Sequence, residues 1–361
     1  MTVAAALDPL ALAVSLMEID STSGREGAVI DWTDRFLSAR GWRTARIPVT
    51  AGRDDLVATV TDRPSDAPRI TFSTHLDTVP PFIPPRVDGD RLLGRGACDA
   101  KGIAAAMICA AERLRSRGVS VSLLFVVGEE VSHDGADAAN RFAAGRARAT
   151  GVLVNGEPTG STLAVGTKGA VRVIVRTRGQ AAHSAYPERG RSATRDLVRL
   201  LSALDDVDWP EDPVLGRTTV NIGHLAGGVA DNVLAPAAEA RLMFRLVTPL
   251  ADTRPIIQGW AAERAELEWG VSVDPVRLTV LPGFRTSVAA FATDIPVLTN
   301  WGRPLLFGPG SIHVAHSDGE FVDVAELRSA VDAYERVGDM VVNGGMDAAP
   351  DHEPERHQQP F

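Results

Sequence analysis

Three short apolar runs of β character each end on ionisable side chains. Arg69–Thr74 leads into His75 and Asp77, Ser122–Gly128 leads into Glu129 and Glu130, and Gly151–Gly156 leads into Glu157. Continuous apolar runs of this length suit strands buried on both faces of a sheet. Between the first two runs lies an Ala-rich helical segment, Lys101–Arg117, closed by Gly118. Further helices are expected at Ala4–Met17 and Arg25–Arg40, and strands at Leu56–Val60, Arg69–Ser73, Ser120–Val127 and Val152–Val154. The alternation predicts an α/β fold, a mixed open sheet with helices on both faces. Ligands bind such sheets outside the carboxyl ends of the strands, so three strands bring charge to one edge.

The texture changes near residue 166. Val171, Val173 and Val175 alternate with Arg172, Arg176 and Arg178, the period-two pattern of a sheet solvated on one face. A helix over Ser192–Leu204, strands over Thr218–Leu225 and Ala237–Leu246, and a helix over Asp252–Leu267 complete a ferredoxin-like α+β unit. The expected organisation is a discontinuous domain of residues 1–165 and 276–342, interrupted by a smaller inserted domain, 166–275. Residues 343–361, rich in Gly, Pro and charge, are expected to be a disordered tail.

With 361 residues the chain has room for two domains. Lys and Arg total 37 against 46 Asp and Glu, a net charge of −9, which disfavours nucleic acid as a partner. Two cysteines, Cys98 and Cys109, build neither a disulfide framework nor a thiolate zinc site. The start Met1–Asp8 lacks a basic n-region, so no secretory signal is expected. The nine-residue apolar run Ile103–Ala111 falls far short of a membrane span. A cytoplasmic protein acting on a small molecule is the expectation.

Two further segments join the strand ends. Gly94–Gly102 puts Asp99 just before the helix, and Gly308–Glu320 is a Gly-rich turn with His313 and His316. Each element has an ordinary reading: Glu129-Glu130 as a solvated turn, His75 bonded to a neighbouring carboxylate, Asp99 as an N-cap, the late histidines as surface residues. Gathered together, His75, Asp99, Glu130, Glu157 and His316 would crowd three carboxylates and two imidazoles without countercharge. Cations relieve that crowding. Imidazole and carboxylate suit zinc, and this number of ligands suits two metals if one carboxylate bridges.

Six motifs occur in a fixed order: Thr74-His75-Leu-Asp77, Gly94-x-Gly-x-x-Asp99-x-Lys-Gly102, Gly128-Glu-Glu130, Gly156-Glu-Pro-Thr159, Ala182-His-Ser184 and Ala315-His-Ser317. Through them the chain resembles the dinuclear-zinc amidohydrolase and exopeptidase family of acetylornithine deacetylase, succinyl-diaminopimelate desuccinylase, carboxypeptidase G and the aminoacylases. The resemblance spans residues 8 to 342 and implies a zinc-exopeptidase-like fold with two Zn2+, for which Co2+ can substitute. It implies that His75 and Glu157 bind one zinc, Glu130 and His316 the other, and that Asp99 bridges both. Asp77 would orient His75, and Glu129 would be the general base. The Asp99–Ala100 peptide would be cis.

In the inserted domain the resemblance makes His183 the lid histidine that stabilises the oxyanion and brings Asn232 near the substrate. It gives Arg245 the grip on an α-carboxylate and Lys168 a contact at the hinge. A homodimer through the lid domain is also implied. The segment Gly308-Pro-Gly-Ser-Ile-x-x-Ala-His316 is similar to the acetylornithine and N-acetylcitrulline deacetylase branch. Thr299–Pro304 departs from the segment that desuccinylases carry ahead of the last ligand. The expected reaction is deacylation of an N-acyl amino acid. The alternatives are a desuccinylase, a dipeptidase or carboxypeptidase, and a non-catalytic amino-acid- or metal-binding module; Glu129, of no use to a pure binder, argues against the last. His133 follows Glu129 by four residues without a His-Glu-x-x-His pattern and is read as structural. No role is assigned to His224, His313, His352 or His357.

Overall fold

The computed structural model of the protein describes residues 7–60, 68–144 and 151–344. In chain order the principal elements are α1 (Pro9–Met17), α2 (Gly27–Ala39), β1 (Arg43–Thr50), β2 (Arg53–Thr59), β3 (Ile70–His75) and α3 (Lys101–Ser116). They continue with β4 (Val121–Val126), α4 (Asp134–Ala143), β5 (Val152–Asn155), β6 (Gly169–Arg178), α5 (Ala193–Ser202), β7 (Thr219–Gly227) and β8 (Ala237–Leu246). Last come α6 (Leu250–Ala261), β9 (Glu266–Val273), β10 (Arg303–Leu306) and α7 (Val324–Val342). The expectation of a disordered tail falls, from residue 345 on, outside the described residues. Among the described residues no helix is long and apolar enough to cross a membrane.

Two compact units divide the described residues. The first comprises those up to Val165, Leu278–Ser287 and those from Thr293; the second comprises Gly166–Arg277 and Val288–Ala292. The first is built on a six-stranded mixed sheet of order β1-β2-β4-β3-β5-β10. Strands β4, β3, β5 and β10 run parallel, and β1 and β2 are antiparallel additions at one side. Both faces are covered, and side-chain alternation sorts each strand between two cores. Leu56, Ala58, Leu123, Phe125 and Val154 join α1, α2, α3 and α7 in one core. Val57, Leu124, Val126 and Leu153 join Ala136 and Ala139 of α4, together with Trp301, in the other. Helix α3 is buried nearly all round, packed among α1, α7 and the sheet, which explains its Ala-rich, stripe-free sequence.

The second unit is a four-stranded antiparallel sheet of order β7-β8-β6-β9. Val171, Val173 and Val175 of β6 face Leu197, Leu200 and Leu201 of α5 and Ile257 and Trp260 of α6 in a core of their own.

Several elements differ from the sequence reading, which places no strand at β10 and starts the first helix before Pro9. Strand β1 is half-solvated and interrupted by Pro48, so it carries no apolar run. Helix α4 buries Gly and Ala rather than large side chains. The helix expected to reach Leu267 stops at Ala261, and Glu266–Val273 is a strand whose Leu267 and Trp269 pack inward while Glu266 and Glu268 face water.

Gly102, in the first turn of α3, closely approaches the preceding loop. A Cβ there would overlap the Ala97 carbonyl oxygen, which is backbone and cannot swing aside. Gly102→Ala is expected to destabilise the first unit by about 1–3 kcal/mol, as overpacking does, and calorimetry should show a lowered Tm. An unchanged Tm would mean that this approach is not tight.

Candidate metal centre

The parallel strands deliver their carboxyl ends to one edge. His75 is the last residue of β3, paired with Val126 of β4. Beyond β4 the chain turns at Gly128, whose φ of 73° favours glycine, and presents Glu129 and Glu130. Glu157 follows β5 by two residues. Two loops complete the edge, and a small sheet brings them together. Residues Arg91–Leu93 pair antiparallel with Phe321–Asp323, so the Gly94–Asp99 loop leaving one strand lies beside the His316–Glu320 loop entering the other.

Asp99 sits between two imidazoles. Its Oδ1 lies 3.0 Å from His75 Nε2, and its Oδ2 lies 3.2 Å from His316 Nε2. His316 Nε2 is also 3.0 Å from Glu130 Oε2, and His75, Asp99 and Glu130 converge tightly enough to share one ion. His316 holds a left-handed backbone, φ 62°, uncommon for a non-glycine and frequent at functional sites. Glu157 is buried, and its Oε1 has no hydrogen-bond partner among the described residues.

The electrostatics follow from that crowding. Burial, then the charges of Asp99, Asp294 and Glu130, push Glu157 well above the usual carboxylate range, against the pull of His75. Burial, then Glu157, does the same to Glu129. His316 is raised to about 10 by its contacts with Asp99 and Glu130. Burial opposes charge on His75, yet Asp77 and Asp99 hold its imidazole well above the ordinary value. Oxygen and imidazole donors, with a buried carboxylate oxygen left unpaired, fit divalent cations. The residues that would hold them are His75, Asp99, Glu130, Glu157 and His316.

Asp77 does more than orient His75. The His75 Nδ1 bond goes to the Asp77 backbone carbonyl, at 3.0 Å, while the carboxylate is 3.6 Å away. That carboxylate accepts the backbone N–H groups of Glu129 and Glu130, at 3.1 and 3.2 Å, and the Ser23 hydroxyl at 2.8 Å. Asp77 therefore ties the β3 end to the Glu129–Glu130 turn. The Asp99–Ala100 peptide is cis.

Several residues here went unassigned from sequence. Glu320 is fully buried, and its Oε1 accepts the backbone N–H groups of Gly96, Cys98 and Asp99 at 3.0–3.2 Å. Its Oε2 accepts Arg95 Nη1 at 2.6 Å, and Arg95 donates also to the Ser317 carbonyl. One carboxylate thus fastens the Asp99 loop to the His316 loop. A glycine-rich loop that lacks regular structure needs such an acceptor, and an acid four residues past His316 was the available signal. Asp294, also unassigned, pairs at 2.8 Å with His133, which the sequence reading took as structural.

The remaining sequence candidates belong to the second unit. His183 is exposed, and its strand-like segment pairs with Val233, so that the Ser184 N–H donates to the Asn232 carbonyl. Arg245 lies on β8 beside Thr219 and Ala170. Lys168 Nζ donates to the Arg217 carbonyl at 2.6 Å.

Comparison with known proteins yields a concordant set of similarities. The family profile "Peptidase family M20/M25/M40" matches residues 71–339. A "Probable carboxypeptidase" of Aspergillus terreus is 37% identical over 365 residues, covering 89% of this chain and 84% of that one. Two solved structures share the fold. A tripeptidase from Staphylococcus aureus has a TM-score of 0.76 at 19% identity and covers 93% of this chain and 98% of its own. A dinuclear metal-binding peptidase of Bacillus subtilis has a TM-score of 0.68 at 17% identity, over 93% and 98%.

Behind the Glu129 turn lies Asp55 of β2, buried, with one oxygen accepting the Val127 N–H at 3.1 Å. Burial, then the neighbouring Asp294 and Asp134 charges, raise its pKa to about 8. A carboxyl raised on folding binds more protons in the native state, so its contribution is lost as pH rises from its unfolded value, about 4, through 8. Asp55→Asn keeps the acceptor and abolishes that titration. The Tm advantage of the variant over the natural protein is expected to grow steadily between pH 4 and pH 8. A constant difference across that range would show Asp55 to be ordinary.

Proposed function

Because the chain belongs to the peptidase family M20/M25/M40, a family of metal-dependent hydrolases, we propose that it hydrolyses the amide bond of an N-acyl amino acid, releasing a carboxylate and an amino acid with a free α-carboxylate. The observation that carries this reading is Asp99, with one carboxylate oxygen toward each of two imidazoles, and Glu129 close enough to feel the charge of His75. Two Zn2+ ions, with Co2+ as a working substitute, are the proposed cofactors. Bound divalent ions supply Lewis acidity toward the carbonyl and lower the pKa of water.

The chain's own groups do the rest. Glu129, whose backbone N–H is fixed by Asp77, takes a proton from the attacking water on its carboxylate and returns it to the leaving amine nitrogen. Arg245 is the proposed partner of the substrate α-carboxylate, for which a planar guanidinium fork is suited. His183 is proposed to stabilise the charge that develops on the carbonyl oxygen, and Asn232 and Lys168 to contact the substrate. We also propose a homodimer through the second unit, supported by the exposed apolar side chains Ile222 and Leu225 on its outer strand β7, and a cytoplasmic location.

For the acyl group we propose acetyl, on an ornithine-, citrulline- or lysine-like amino acid, because Gly308–His316 resembles the acetylornithine deacetylase branch. A second reading, carboxypeptidase or dipeptidase, is favoured by the name of the Aspergillus terreus relative. Both release a free amino acid and differ in the acyl side alone. Ranking N-acetylornithine, N-acetylcitrulline, N-succinyl-diaminopimelate and unblocked dipeptides by kcat/KM separates them. Acetate release supports the first reading and dipeptide cleavage the second; a zinc-loaded protein inert to all of them would refute both. In Glu129→Gln, kcat is expected to fall by about 10²–10⁴-fold with metal content unchanged, and near-native turnover would remove Glu129 from the role of base.

A further inference from the structure

Beside Glu129 lies a group of side chains that this reaction has not used. His133 Nδ1 is 2.8 Å from Asp294 Oδ1 and 4.0 Å from Glu129 Oε1. Asp294 is 1% exposed, and its Oδ2 has no hydrogen-bond partner among the described residues. All three side chains belong to the first unit.

The backbone at His133 is built for this contact. The residue is the N-cap of α4, where a short polar side chain ordinarily caps the first turn, yet its side chain caps nothing. It holds a φ of 55°, a conformation that costs a non-glycine residue free energy and survives where the surroundings over-determine it. They do so here. The His133 N–H donates to the Gly128 carbonyl at 2.9 Å, and its carbonyl accepts the Asp137 N–H at 3.0 Å. Both ends of the residue are therefore pinned, one of them to the turn that carries Glu129. The left-handed twist spends the capping position to turn the imidazole toward Asp294.

Asp294 is fixed in its turn. Its carbonyl accepts the N–H groups of Val297 and Leu298, both at 3.0 Å, and Thr293 Oγ1 accepts the Ile295 N–H. A buried carboxylate needs a positive partner, and the imidazole at 2.8 Å is that partner. The same imidazole faces Glu129 at 4.0 Å, on a carboxylate that also feels the attraction of His75 and the repulsion of Glu157, Asp294 and Glu130.

We propose that Asp294 and His133 form a positioning pair for Glu129: the buried carboxylate orients the imidazole, and the imidazole so fixed beside the Glu129 carboxylate sets where that carboxylate lies. The proposal rests on the assignment of Glu129 as base, and it makes the two residues positioning groups rather than catalytic ones. Misplacing a catalytic group by about 1 Å costs on the order of a hundredfold, so loss of the pair acts on turnover and not on substrate affinity.

The test uses the zinc-loaded protein and Asp294→Asn, which preserves shape and removes charge, with His133→Gln as the second variant should the first fail to fold. In either variant kcat is expected to fall at least about tenfold while KM stays within twofold and zinc content is unchanged. Asp294→Glu, which restores the charge, should recover part of the loss. A crystal structure of the zinc-loaded variant should show the Glu129 carboxylate displaced or spread over two rotamers. A folded variant with natural kcat, or with Glu129 in its natural position, overturns the proposal. So does a third metal ion found between Glu129, His133 and Asp294 in the natural protein. If the natural protein hydrolyses no amide, the functional reading fails, and the position of Glu129 in the variant structure then decides the pair by itself.

Discussion

Like charge brought out of water is the constraint around which the first unit is arranged. Asp99 and Glu157 are almost completely buried, with Glu129 and Glu130 beside them. Two imidazoles cannot neutralise four carboxylates, and an isolated buried carboxylate takes up a proton rather than stay charged. Strongly raised Glu129 and Glu157 express that tension. Divalent cations held by His75, Asp99, Glu130, Glu157 and His316 would relieve it.

Holding such a cluster open requires that its loops cannot relax. Glu320 does this for the Asp99 loop through three backbone N–H groups and, with Arg95, binds that loop to the one carrying His316. Asp77 does the same for the Glu129–Glu130 turn. Behind both, Gly102 lets α3 begin directly against the Ala97 carbonyl. These anchors are themselves buried and charged or tightly packed, so the loops at the rim of the sheet are fastened by the chain's own contacts, which is what preorganised catalysis needs.

Much of this was legible in the sequence, for a physical reason. Strands buried on both faces must be short and apolar, and an ionisable residue directly after one can only sit at the sheet edge. That logic located His75, Glu129, Glu130 and Glu157, and the α/β architecture with it. What stayed hidden were elements without an apolar signature: β1, an outer strand, and α4, which buries alanines. Hidden too were side chains whose importance depends on long-range pairing. Glu320 meets Asp99 across 221 positions and His133 meets Asp294 across 161, separations that no local pattern encodes. The bond of His75 to the Asp77 carbonyl, in preference to its carboxylate, is likewise a matter of ångströms.

Zinc titration of chelator-stripped protein, followed by calorimetry and by Tm, bears most directly on whether cations neutralise the buried acids. Two equivalents per chain should bind, releasing protons from the raised carboxyl groups. A Tm that climbs with free metal should follow, since a ligand at about 1,000 times its Kd adds about 4 kcal/mol of stability. Binding of one equivalent or none, or a Tm indifferent to zinc, would contradict the account.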